Sequence, residues 1–155
     1  MTTLTLGHIK AEHAKLAELI QAFEAQEQQG SGFLFPETVI QLRPGENYAG
    51  IVVGKDGEAS YHLILMADKP TNQLNWNAAK NWAKRIGGDL PTRREQSLLF
   101  ANCKEQFDPD WYWSGEVHEK DASYAWGQYF FNGRQYYGHF TDEWRARAVR
   151  RSVIE

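Results

Sequence analysis

The sequence has few cysteines and no long apolar segment, the features that stabilise many secreted proteins and anchor membrane proteins. Its 155 residues include one cysteine, Cys103, which excludes an internal disulfide and any metal site built from several cysteines. No run approaches the roughly 20 apolar residues that span a bilayer, and residues 1–10 lack the apolar core of a signal peptide. We therefore expect no membrane partner and synthesis in the cytoplasm, with packaging into a virion or release left open.

Clustered positive charge is also scarce. The net charge is −3, whereas broad nucleic-acid binding needs a basic surface that neutralises phosphates. Nucleic acid is therefore not an expected partner. One basic cluster lies near the C-terminus, where alternation would put Arg145, Arg147 and Arg151 on one face of a strand. An ion-paired or solvated strand face is the favoured interpretation, and a patch for acidic ligands is the alternative.

Aromatic residues, in contrast, are plentiful. They make up 14% of the chain, with six tryptophans and seven tyrosines, most of them after Tyr61. Both residue types pack large apolar areas while keeping a polar group, so they serve protein cores and binding faces alike. Hydrophobic residues reach 42%, enough to build the core of one domain of this length.

Residues 8–28 predict an amphipathic helix, because they contain neither glycine nor proline and are rich in good helix formers. Steps of three and four residues give a heptad seam, which consists of Leu6, Ile9, His13, Leu16, Ile20 and Phe23. The seam could pack on its own chain. Its terminal position and the flexible sequence at 28–32 favour instead a homodimer or homotrimer. Protonation of His13 would be expected to weaken such an assembly.

The rest of the chain alternates short apolar runs with turn residues, which predicts an α+β fold. The organisation expected is a helix over residues 1–29 and a domain over residues 33–155. Asp56-Gly57 and Asn132-Gly133 predict turns between strands, and Thr92 with Glu95 predicts a capping box that starts a helix. The predicted helices are 75–86 and 92–105, and the predicted strands are 37–42, 48–53, 60–66, 111–114, 124–131, 134–140 and 144–149.

Five motifs occur in a fixed order after residue 75. They are a W-x-x-A helix at 76–79, a G-G-x-L-P-T-R-x-E turn at 87–95, a Y-W-S strand at 112–114, an A-W-x-Q-x-F strand at 125–130 and R-x-R-A-V-R-R at 145–151. This half of the chain resembles the C-terminal domain of collagen-like bacterial adhesins, which is common in phage and prophage proteins of unknown role. The resemblance implies a C-type-lectin-like fold, with two helices on one twisted antiparallel sheet.

Several activities of lectin-like folds are not supported by these residues. The Glu-Pro-Asn or Gln-Pro-Asp loop and the Trp-Asn-Asp strand of calcium-dependent lectins are missing, so any binding should be independent of calcium. The turn at 90–95 also resembles that of formylglycine-generating enzymes, whose copper chemistry needs two cysteines where this chain has one. Ser114, His118 and Asp121 could be combined into a triad, but no nucleophile-elbow motif surrounds the serine. We expect no enzyme activity and no cofactor.

Two stretches carry candidate ligand-binding residues. A polar loop at 115–121 combines carboxylates with an imidazole, which suits recognition or, less favoured, a divalent metal. A second stretch places tyrosine and tryptophan beside acidic residues, as in carbohydrate or protein recognition. The candidates are Glu116, His118, Asp121, Tyr136, Tyr137, His139, Asp142 and Trp144.

The sequence therefore favours a non-catalytic ligand- or receptor-binding module of phage or bacterial origin, oligomerised by its N-terminal helix, with a protein or glycan surface as its partner. Two alternatives remain: a phage-encoded factor that interacts with a host system inside the cell, and a metal-assisted enzyme that uses His118 and the neighbouring carboxylates.

Overall fold

A computed structural model describes residues 5–28, 30 and 32–155. The chain divides into two compact units, Met1–Phe35 and Pro36–Glu155, so the division falls slightly later than the predicted one. Gln29 and Ser31 of the predicted hinge lie outside the described residues. Within the described residues, the fold is α+β, with three α-helices and two small antiparallel sheets. No helix of this described part is long and apolar enough to cross a membrane.

The first unit contains helix α1, Leu6–Gln28. The helix begins two residues before the predicted start because Thr5 precedes it as a cap, with its Oγ1 accepting a hydrogen bond from the backbone N–H of His8 at 3.3 Å. All six seam residues are exposed, and the five apolar ones are each 49–69% accessible. The apolar stripe that the spacing predicted is therefore present and open to solvent.

The first sheet of the second unit contains β1 (Asn47–Val52), β2 (Tyr61–Leu65) and β6 (Val149–Val153), in the order β1-β2-β6. Between β1 and β2, Asp56 and Gly57 both have positive φ, and the backbone N–H of Glu58 donates to the carbonyl of Lys55 at 3.0 Å. This confirms the predicted turn.

Two of the predicted strands are wrong. Residues 37–42, all of them described, form no strand, because side chains such as Val39, which is 79% exposed, meet no apolar surface that would bury them. Residues 144–148 form isolated bridges at Trp144 and Arg145 rather than a strand. The last strand begins at Val149.

The second sheet is an antiparallel meander of β3 (Trp111–Val117), β4 (Tyr124–Tyr129) and β5 (Gln135–His139). The β4–β5 connection spans residues 130–134 rather than the two residues predicted, although Gly133 does adopt a positive φ of 82°. The described strands thus form two three-stranded sheets where one continuous sheet was expected.

Helices α2 (Trp76–Arg85) and α3 (Arg93–Cys103) confirm the two predicted helices of this unit. The capping box is also confirmed: Thr92 Oγ1 accepts from the backbone N–H of Glu95 at 3.2 Å, and Glu95 Oε2 accepts from that of Thr92 at 3.0 Å. A short 3₁₀ turn, Lys104–Gln106, follows α3.

The core of the second unit consists of two apolar clusters. One contains Trp76 and Trp82 of α2 together with Trp113 of β3. The other contains Leu99 of α3 together with Leu63 of β2. Cys103 lies fully buried in the second cluster, and burial raises the pKa of its thiol.

Candidate functional site

One face of the second sheet collects aromatic side chains. The register pairs Tyr124 with His139 and Trp126 with Tyr137, and alternation puts these four side chains on the same side of the sheet. The ring of His118, just after β3, lies 4.4 Å from that of Tyr137. All five side chains are half-buried. We call this group, Tyr124, Trp126, Tyr137, His139 and His118, the aromatic face.

Ring packing makes the aromatic face rigid. The ring of Tyr137 meets that of Trp126 edge-on at 5.5 Å and that of Tyr124 at 5.7 Å. Tyr124 meets His139 in the same way at 5.2 Å. Edge-to-face contacts at these separations are favourable beyond simple burial. The rings therefore hold one another in place while part of each stays accessible.

His118 belongs to this face rather than to a mobile loop. Its ring stacks on Trp126 at 5.2 Å, and its side chain is only 15% exposed. Nδ1 accepts a hydrogen bond from the backbone N–H of Lys120 at 3.2 Å, so a neutral ring carries its proton on Nε2. Nε2 lies 3.9 Å from a carboxylate oxygen of Glu119. The imidazole is thus oriented with its N–H towards an acidic, exposed side chain.

Arg93 closes one end of the aromatic face. Its guanidinium lies 3.6 Å from the centre of the Trp126 ring, a cation–π contact. Its Nε donates to Gln135 Oε1 at 3.0 Å, and its Nη1 lies 3.7 Å from Glu119. A positive charge fixed over an aromatic ring adds a polar donor to a mostly apolar surface.

The structure separates the predicted residues of the second stretch. Tyr137 and His139 lie on the aromatic face, and Tyr136 is 46% exposed and stacks on Tyr137 at 4.5 Å. Trp144 lies on the opposite side of the sheet, stacked 4.1 Å from Trp113. A Cβ at Gly127 or Gly138 would approach the Trp144 ring to 2.5 Å, so Trp144 packs directly onto the sheet's inner face. Asp142 accepts the backbone N–H of His139 at 2.9 Å.

The carboxylates of the predicted polar loop are engaged with the backbone. Glu116 lies within β3 and accepts the backbone N–H of Arg93 at 2.6 Å, at the start of α3. Asp121 Oδ1 accepts that of Ser123 at 2.9 Å. Ser114 is fully buried and accepts the backbone N–H of Glu116 at 3.1 Å. Across the part of the chain that the structure describes, no three His, Cys, Asp or Glu residues are placed to hold a metal ion.

Sequence reasoning missed three residues of this surface. Tyr124 and Trp126 alternate along a strand that was itself predicted, so period-two spacing could have placed them with Tyr137. Arg93 had no such signal, because its contact with Trp126 joins a helix start to a strand far along the chain.

No protein-family model matches the chain, and no curated protein is similar enough in sequence to count as a relative. The interpretation of the surface therefore depends on its geometry.

Proposed function

We propose that this protein is a non-catalytic binding module of phage or bacterial origin, which docks onto a protein or glycan surface through the aromatic face. The observation that supports this most is a rigid group of five half-buried rings on one side of a sheet, with Arg93 over one of them. Tyrosine, tryptophan and arginine are enriched among the residues that dominate recognition surfaces. Tyrosine and tryptophan also bury large areas with little loss of side-chain freedom.

We further propose that the second unit is C-type-lectin-like. Two helices accompany antiparallel sheets in this unit, and the five ordered motifs of the sequence run through those elements. A fold of this type presents strands and loops as a fixed scaffold for recognition, but the fold alone does not name a ligand.

Oligomerisation through α1 is the other half of the proposal. The heptad seam exposes five large apolar side chains along a helix of 23 residues. A lone helix of this length is only marginally stable in water, and burial of its seam against the same seam of a second or third copy would stabilise it. An oligomer with two or three aromatic faces would then bind a repetitive surface with avidity.

The test of the aromatic face begins with a glycan array and with purified cell-surface proteins, each probed with the full chain. Tyr137→Ala should weaken binding to any ligand found by about tenfold or more, since central aromatic contacts of an interface carry about 2 kcal/mol or more. Phe131→Ala is the matched control, because Phe131 is 62% exposed on the same hairpin but lies outside the aromatic face.

A ligand whose affinity is unchanged by Tyr137→Ala and by Trp126→Ala would contradict the proposal, since recognition would then occur elsewhere. The same variants test the choice of partner. If the glycan array stays silent and a host protein from inside the cell binds in a Tyr137-dependent way, the interaction is with a host system rather than with a cell surface.

The test of the seam is the molar mass in solution, measured by light scattering. The full chain should have two or three times the 17.8 kDa of one copy. Ile20→Asp should give single copies, because it places a charge in the seam. Ala11→Asp is the control, since Ala11 lies on the opposite side of the helix. A wild-type chain that is a single copy would rule out this part of the proposal.

A further inference from the structure

A buried arginine outside the aromatic face has an unusual environment. Arg147 is only 2% exposed. Its Nη1 donates to the carbonyl of Gln106 at 2.5 Å and its Nη2 to that of Met66 at 2.9 Å. Among the described residues, its Nε has no hydrogen-bond partner. The charge thus faces neutral carbonyls and the ring of Phe107, 5.4 Å away.

The neighbouring arginines are each paired with a carboxylate. Arg145 contacts Asp110 at 2.9 Å and Asp108 at 3.1 Å, Arg150 contacts Glu46 at 2.7 Å, and Arg151 contacts Glu95 at 2.7 Å. Within the described part of the chain, Arg147 has no carboxylate within 4 Å. Removal of a guanidinium from water is costly unless a counter-charge compensates it. Burial accordingly lowers the pKa of Arg147.

Arg147 lies in the wall of an open cleft of about 300 Å³. Two further cations line the same cleft, Lys69 and Arg145, together with one carboxylate, Asp108. Arg145 is shared between Asp108 and Asp110. Lys69 is exposed, and no carboxylate pairs with it among the described residues. Three cations thus face two carboxylates, which leaves the cleft with one positive charge that the described chain does not balance.

Neutral donors complete this lining. The hydroxyl of Tyr112 accepts the backbone N–H of Asp108 at 3.0 Å, which leaves its own proton free to be donated. Thr71 and Asn72 add a hydroxyl and an amide at the exposed edge. Charged and neutral donors around a space of this size suit a group with several acceptor oxygens and a negative charge.

We propose that this cleft binds a small oxyanion, a phosphate or carboxylate group, with Arg147 as the buried positive charge and Lys69 as the exposed one. The site is independent of the aromatic face, because it shares none of its residues. The anion supplies the counter-charge that Arg147 lacks.

The test is a titration of the full chain with sodium phosphate and, separately, with sodium acetate, at constant ionic strength set by sodium chloride. Amide chemical shifts are followed by NMR. The proposal expects saturable shifts at residue 69, residues 71–73 and residues 145–147, with a dissociation constant of roughly 1 mM. Saturation by phosphate alone identifies a phosphate site, and saturation by both anions identifies a general oxyanion site.

Lys69→Gln should weaken that binding at least threefold, and Arg147→Met should abolish the saturable component. Lys55→Gln is the matched control, because Lys55 is an exposed lysine in the β1–β2 turn. Lys69→Gln keeps the test decisive if Arg147→Met is poorly folded, since an exposed side chain can be changed without harm to the core. The proposal fails if the shifts do not saturate, or if Lys69→Gln and Lys55→Gln respond identically.

Discussion

Arg147 and Arg151 lie four residues apart, yet the regions around them are opposites. Arg151 donates from Nε and Nη2 to the two oxygens of Glu95, at 2.7 and 3.0 Å, and from Nη1 to Asp89 at 2.8 Å. Arg147 donates only to backbone carbonyls. One arginine completes an ion-pair network inside the protein, whereas the other is buried among neutral carbonyls without a carboxylate partner. The comparison shows that the role of an arginine depends on the groups that surround its side chain, not on the segment in which it lies.

In the region around Arg151, the side chains of Glu95, Asp89 and Tyr61 each take part in a hydrogen bond within the group. Glu95 is fully buried, and it also accepts the hydroxyl of Tyr61 at 2.6 Å. Burial, with this hydrogen bond to Glu95, raises the pKa of Tyr61 to about 12. Burial acts to lower the pKa of Arg151, but the hydrogen bonds and charges of Glu95 and Asp89 outweigh it and raise that pKa. Tyr61 therefore keeps its proton at neutral pH and donates it to Glu95, while Arg151 stays charged beside Glu95 and Asp89.

The largest expected effect on the free energy of unfolding comes from the removal of Arg151 from this network. Arg151→Met leaves the Glu95 carboxylate fully buried without its counter-ion, which should reduce the free energy of unfolding by about 3–5 kcal/mol. Urea denaturation at pH 7 measures the loss. The double variant Arg151→Met/Glu95→Gln should lose less than the two single changes added together, because the unpaired charge is gone. Strict additivity would mean that the pair does not interact as described.

The same substitution at the other arginine should have a smaller effect. Arg147→Met removes a cation that no carboxylate requires and places an apolar side chain near the ring of Phe107. The carbonyls of Gln106 and Met66 lose their donors, so we expect a net loss of about 1–2 kcal/mol in urea denaturation. A loss as large as that of Arg151→Met would contradict the difference proposed between the two regions.

The sequence predicted the capping box of Thr92 and Glu95, but it did not predict the ion pair between Glu95 and Arg151. The capping box of Thr92 and Glu95 follows from spacing alone, because both residues lie in one helical turn. The pairing of Glu95 with Arg151 spans 56 residues, and no local rule encodes it. The predicted strand over 144–149 also made Arg147 an outward-facing residue. The observed strand begins only at Val149, and Arg147 is buried before it.

The candidate site was predictable to a similar degree. Alternation along a strand is enough to put Tyr137 and His139 on one face of β5, where the structure has them. It could not show that Trp144 would fill the space above Gly127 and Gly138 on the other face, since that contact depends on how a loop returns to the sheet. Spacing finds the faces of one element, whereas tertiary packing decides which face is covered.

A smaller effect should follow from removal of the cap that positions Glu95. Thr92→Ala removes the side-chain acceptor for the N–H of Glu95, so we expect a loss of about 1 kcal/mol in the free energy of unfolding. Thr92→Ser should restore most of it, since the hydroxyl is retained. If both variants lose equally, the methyl group of Thr92 rather than its hydroxyl stabilises the helix start.

The smallest expected effect is on the stability of the fold in acid, to which the pairs of Arg151 contribute and Arg147 does not. A hydrogen bond from Lys84, with the charge of Arg151, lowers the pKa of Asp89 from its ordinary value of 3.8. A carboxylate whose pKa is lower in the folded than in the unfolded chain stabilises the fold above its ordinary pKa. That contribution is lost as the pH falls through the folded value, below about pH 4. Arg147 itself has no carboxylate partner among the described residues, so its charge should contribute nothing to this dependence.

Asp89→Asn should therefore lose less stability than the wild type between pH 6 and pH 3 in urea denaturation. Because the Asp89 side chain is 38% exposed, solvent screens the pair and the difference should stay at about 0.5 kcal/mol. Asp68→Asn is the control, an exposed aspartate with no ion pair among the described residues. If Asp68→Asn flattened the acid dependence as much as Asp89→Asn, the effect would come from net charge rather than from the Arg151 network.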